Sequence, residues 1–241
     1  MMAFTVTKKH WIAGGVGVVL AVVVALGVWY FVAHRTPSAT HFPINPADTI
    51  SSWTFKVAYD GNATLVAETE ADEAKLKSEL KKGDYPDYTL YIGIGNDATL
   101  LGDGKGAYDA YGEAIALYPN QGLSYLNLAH TMDLMGAYHT AADAYAKAVH
   151  VEPGSLTYQT ERLNFLVRQF PDDTPAIQAA LKDASDQFGD TAAILSIEAQ
   201  WLEGQGKYAA AVTAWETALK LSPTDRQAAI QAQINRDKAK E

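Results

Sequence analysis

Three eighteen-residue stretches of this chain share one pattern: GDGKGAYDAYGEAIALYP (102–119), GAYHTAADAYAKAVHVEP (136–153) and GKYAAAVTAWETALKLSP (206–223). From the first start, Gly102, to the second, Gly136, is one step; from there to the third, Gly206, is two, so the period is about 35 residues. Corresponding positions carry Ala107, Ala141 and Ala211, then Ala110, Ala144 and Ala214, then Tyr111, Tyr145 and Trp215, then Ala114, Ala148 and Ala218. Each copy closes on a proline: Pro119, Pro153 and Pro223. A fixed period of this length restricts the fold to stacked supersecondary units, because no single unit can bury its apolar face alone. Alanine at helical spacing lets one helix press on its neighbour, and the aromatic fills the space beside it. Proline then stops the helix. The pattern predicts an all-α array.

These residues resemble the second helix of a tetratricopeptide repeat (TPR). The first helices fit as well: Tyr91 with Gly95, Tyr125 with Leu128 and Ala129, and Leu195 with Ala199 occupy the family's bulky and small packing places. The resemblance implies four TPR-like units over 88–225, at 88–121, 122–155, 156–191 and 192–225, the third having lost the motif. In that unit SLTYQTERLNFLVRQF still reads as an amphipathic helix, and TPAIQAALKDASDQFG supplies its partner, with Pro175 in the first turn and Gly189 at the end. Residues 53–87 are expected to form a degenerate opening unit, since GNATLV at Gly61 echoes GNDATLL at Gly95. Residues 226–241, with Ala229, Ile230 and Ile234 on one face, are expected to form a capping helix.

Ahead of the array, the run Trp11–Ala33 carries no charge anywhere along it. As a helix it would be roughly 34 Å long, enough for a bilayer core of about 30 Å. Trp11, Trp29 and Tyr30 suit an interfacial aromatic belt. The run exceeds the apolar region of a signal peptide, and HRTPSAT after it offers no good small-x-small cleavage site, so an uncleaved transmembrane anchor is expected. Lys8 and Lys9 place the tail 1–10 in the cytoplasm by the positive-inside rule, which sends the array across a cytoplasmic (inner) membrane to its far side. Within the run, Ala13, Gly17, Ala21 and Ala25 recur every four residues, a spacing that allows self-association. Residues 34–52, interrupted by Pro37, Pro43 and Pro46, read as a linker; Pro46 could instead open a short helix capped by Asn45.

The residues make no case for an enzyme. The chain lacks cysteine, which removes disulfides and cysteine-ligated zinc, and its net charge of −9 argues against nucleic acid as a partner. GIGNDA at Gly93–Ala98 matches a dinucleotide fingerprint after the strand-like YTLYI, but no parallel-sheet pattern follows. The six histidines show no metal-ligand spacing, and no cofactor is implied.

Arrays of this family generally bind extended peptides or partner helices on the concave face lined by the first helices. By that resemblance Asn96, Thr99, Asn127, His130, Asp133, Asn164, Arg168 and Gln200 are the partner-binding candidates. The same residues suit a merely solvated groove. Asn96 and Asn127 match two asparagines that chaperone-binding members use to hold a peptide carboxylate. Ile92, Thr157 and Glu161 stand where the accompanying basic residues would be, which speaks against such a clamp. The resulting expectation is a membrane-anchored scaffold or adaptor for a protein or peptide partner, in assembly of a membrane or envelope complex. A holdase-type chaperone at a translocon, or a regulatory subunit of an enzyme complex, are the alternatives.

Overall fold

In the computed structural model, residues 42–57 and 61–240 are described; the expected anchor and its small-residue stripe lie outside them. Among the described residues no helix is long and apolar enough to cross a membrane. Ten helices follow in order: α1 (Ala63–Glu79), α2 (Asp87–Leu101), α3 (Gly104–Leu117), α4 (Gly122–Leu134), α5 (Tyr138–Val151), α6 (Leu156–Gln169), α7 (Thr174–Phe188), α8 (Ala192–Gly204), α9 (Tyr208–Leu221) and α10 (Thr224–Lys238). Successive helices pack as antiparallel hairpins: α2 with α3, α4 with α5, α6 with α7, α8 with α9. The chain is an all-α, TPR-like solenoid.

Local chemistry sets the boundaries. Side chains of Asn62, Asp103, Ser155, Asp173 and Thr191 accept from backbone N–H groups in the first turns of α1, α3, α6, α7 and α8. Gly102, Gly136 and Gly206, in the turns within three hairpins, have φ of +74°, +75° and +70°. That left-handed conformation is one that side chains with a Cβ avoid, which explains the glycine at the head of each repeated stretch.

The alanines do what the pattern predicts. Ala107, Ala114, Ala141, Ala144, Ala148, Ala211 and Ala218 are all 0% exposed. At Gly95 a Cβ would fall 2.4 Å from the Tyr111 ring, so the α2/α3 contact closes only over a bare backbone. The third unit departs from this. Ile177, fourth residue of α7, holds the helix position of Ala107, Ala141 and Ala211; Leu163, eighth residue of α6, holds that of Ala129 and Ala199. Both are fully buried. Two large residues in place of two small ones keep the helices apart, and α6 and α7 meet over less of their length than the other hairpins do.

The ends differ from expectation. Gly61 does not repeat Gly95: it has φ +87° and precedes α1, whereas Gly95 lies inside α2, so the echo marks a helix start and not a second copy. Among the described residues of 53–87 only α1 and the first residue of α2 are helical; Thr54 instead forms an isolated antiparallel bridge with Asp103. The described part of the expected linker is not free chain. Phe42, Ile44, Ile50 and Trp53 pack against the core, and residues 45–48 form a turn rather than a helix, Asp48 N–H donating to Asn45 O (2.9 Å). The closing helix begins at Thr224; Ile230, Ile234 and Asp237 are its buried residues, and Ala229 is exposed.

Candidate functional site

The first helices, α2, α4 and α6, carry the candidate residues, and side chains on neighbouring units bond to one another. Asn127 Nδ2 donates to Asn96 Oδ1 (3.0 Å), which also accepts from the Tyr111 hydroxyl (2.8 Å). One turn along, Thr99 Oγ1 lies 3.0 Å from Thr131 Oγ1. His130 Nε2 sits 3.4 Å from Glu161 Oε2, and the His130 ring meets Tyr145 edge-on at 5.5 Å. Arg168 and Gln169 both donate to Asp133, the latter at 2.8 Å.

The structure thus joins Asn96 to Asn127, Thr99 to Thr131, His130 to Glu161 and Asp133 to Arg168. Asn164 is exposed and lies one helical turn before Arg168 on α6. Gln200, at the helix position of His130, is not joined to the others: it lines a cleft between α8 and α10 with Ser196, Arg226 and Ile230. Thr131, Glu161 and Gln169 were missed as members of the row. A usable signal exists for two of the pairs: Asn96–Asn127 and His130–Glu161 share the same separation, one repeat less about one helical turn.

Beneath this polar row lie buried phenols. Burial pushes the Tyr111 hydroxyl up to about 12, against the lowering effect of bonds with Thr99 and Thr131. Burial likewise raises Tyr145, aided by the charges of Asp133 and Glu161 and opposed by Arg168. Both phenols are therefore neutral at ordinary pH, and the Tyr111 hydroxyl donates to the row through Asn96. Leucines flank it: Leu100, Leu123 and Leu134 are 39%, 39% and 55% exposed, each four residues from Asn96, Asn127 or His130 on the same helix face. GIGNDA lies wholly inside α2, with no strand before it, and Gly95 is spent on the Tyr111 contact.

No family model matches the chain, and no curated protein matches its sequence. Solved structures do. TTC0263, a TPR protein of Thermus thermophilus, superposes with a TM-score of 0.51 at 16% identity, over 74% of this chain and 94% of that one. The chain is a TPR-like helical repeat protein. MamA gives 0.52 at 20% identity, over 64% of this chain and 82% of that one. A chain of the APC/C hetero-tetramer Cut9–Hcn1 gives 0.50 at 16% identity, over 74% of this chain and 35% of that one. At such identities the likeness establishes the fold alone.

Proposed function

We propose that this protein is a membrane-anchored scaffold that holds an extended segment of a partner protein on the faces of α2, α4 and α6, in assembly of a membrane complex. The observation that carries the reading is the combination on that face: amide and carboxylate groups spaced along successive units, flanked by the exposed leucines Leu100, Leu123 and Leu134. An extended peptide needs both donors and acceptors for its backbone and shallow apolar places for alternate side chains. Residues 11–33 supply the anchor in this proposal, and Lys8 and Lys9 put the array on the far side of a cytoplasmic membrane.

The test is an affinity purification of the full chain from detergent extract, with partners identified by mass spectrometry, repeated with Asn127→Ala combined with Asn164→Ala. The double variant should weaken the partner about tenfold, at about 0.5–1.5 kcal/mol for each lost hydrogen bond, while helicity and melting stay near those of the parent. Undiminished recovery of the same partner would refute the groove assignment. Protease added outside intact cells should degrade the array; protection would reverse the orientation.

A further inference from the structure

On the side opposite the groove, the second helices α1, α3, α5 and α7 leave clefts between them, each floored by a residue of the first helix below. The floors are Tyr91, Tyr125 and Gln159, which follow one another at single-repeat intervals. The cleft over Tyr91 is walled by Glu73 and Lys77 of α1 and Asp109 and Glu113 of α3. The middle one is filled by the chain itself: Phe42 meets the Tyr125 ring edge-on at 5.9 Å, and Tyr108 OH donates to Phe42 O (2.5 Å). From there residues 42–57 run over the outer side, through Asp48 at the start of α5 to Trp53, whose ring lies 5.3 Å from Tyr108. This outer face is thus already a surface that takes extended polypeptide.

The third cleft, between α5 and α7, has a volume of about 550 Å³ and is not covered by that segment. Its floor breaks the pattern. Gln159 is only 3% exposed, and its side-chain oxygen has no hydrogen-bond partner among the described residues. A buried acceptor without a partner opposes folding, so an amide where two sister units carry tyrosine is a poor choice for packing alone. The walls carry Asp183 and Asp186 from α7, the guanidinium of Arg162 and, from α5, His150. Asp186 is held by Lys182 Nζ of its own helix at 2.5 Å, which leaves Asp183 as the carboxylate open to the cleft. Arg162 reaches Asp183 only at 3.7 Å, and the Asp183 side chain is 60% exposed. An exposed, loosely paired carboxylate beside a carbonyl oxygen with no partner among the described residues calls for a cationic donor.

We propose that the cleft between α5 and α7 binds an extended segment of a partner protein, laid over the outer face as residues 42–57 are, with an arginine or lysine side chain donating to Gln159 and Asp183. This site lies apart from the groove of α2, α4 and α6. One experiment uses the full chain in detergent and the fluorescein-labelled peptide Gly-Ser-Arg-Ser-Gly-Arg-Ser-Gly, followed by anisotropy, beside the same peptide with citrulline for arginine. Saturable binding of the arginine peptide is expected, weakened about tenfold by Gln159→Leu and by Asp183→Asn, each removing a bond to a charged group. Thermal melting of both variants establishes that they fold. Gln159→Leu should melt no lower than the parent, because it removes the unsatisfied amide. Absence of saturable binding, equal binding of the citrulline peptide, or undiminished binding by folded Gln159→Leu would each overturn the proposal. Loss in Asn127→Ala with none in Gln159→Leu would also overturn it, and would place the peptide in the groove instead.

Discussion

Two segments outside the repeats pack on the array, residues 42–57 over its outer side and α10 at its C-terminal end, and each uses a buried carboxylate, but the two carboxylates are treated oppositely. On the outer side, Asp48 supplies the cap that α5 lacks: it accepts from His139 N–H (3.2 Å), Thr140 N–H (2.6 Å) and the Thr140 hydroxyl (2.7 Å), with His139 Nδ1 at 3.0 Å. Its side chain is 5% exposed. Burial would raise its pKa, but the bonds from Thr140 and His139 outweigh that and hold it below the usual aspartate value. At the C-terminal end Asp237 of α10 is 1% exposed, and its Oδ2 has no partner among the described residues. It lies beside Glu203 of α8, whose Oε1 accepts from the Trp215 indole (2.5 Å). Burial raises the Glu203 pKa, the Trp215 bond lowers it, Asp237 raises it further, and Lys240 partly offsets this. A carboxylate surrounded by donors fastens a segment, whereas two facing carboxyl groups set a closing helix against itself at neutral pH.

The largest expected effect is at the fastened segment. Asp48→Ala removes the cap of α5 and should destabilise the array by about 2 kcal/mol, the upper end for loss of a capping side chain. Faster amide exchange should be confined to the start of α5 and to residues 42–57. A uniform rise over all helices would mean that the segment has no local hold of its own.

At the C-terminal end the sign reverses. Asp237→Asn gives the buried oxygen pair a donor, so the variant should be more stable at pH 7 by about 1 kcal/mol, or roughly 2–4 °C in melting temperature. The gain should shrink on acidification, as Glu203, whose pKa is raised, takes up a proton and the repulsion between the two carboxyl groups is relieved. A loss of stability at pH 7 would show that the carboxylate itself is needed there.

The smallest effect is the pH response of the parent, read from 19F-labelled Trp53 and Trp215. Asp48 has a lowered folded pKa, so its contribution is present above the usual value of about 3.9 and is lost as pH falls through the folded value. Glu203 has a raised one, so its contribution is complete below the usual value of about 4.3 and fades as pH rises through the folded value. Acidification should therefore shift the Trp53 resonance towards solvent while Trp215 sharpens. Parallel movement of the two resonances would erase the distinction between the two segments.

What could be read in advance divides along the same line. Ala148 under Tyr145, and Gly136 at the turn, follow from the repeat because each helix position meets the same neighbour in every unit. Phe42 on Tyr125, and Asp48 at Thr140, join distant parts of the chain that no period relates. The row on α2, α4 and α6 is intermediate. The face was legible from helix register, but the pairing of Asn96 with Asn127 depends on the offset between stacked units, and Gln200 makes no such pair but lines the cleft towards α10.

The amino-acid sequence alone determined the helices, their hairpin pairing and the close α2/α3, α4/α5 and α8/α9 contacts, because alanine, glycine and proline act over one or two turns and repeat with the chain. It also specified the looser third hairpin, through Ile177 and Leu163. Packing decided the rest: where residues 42–57 lie, which carboxylates are satisfied, and that the Gln159 side-chain oxygen is buried without a partner among the described residues. Those outcomes depend on desolvation and on distances between segments far apart in sequence, and such quantities exist only once the helices are stacked.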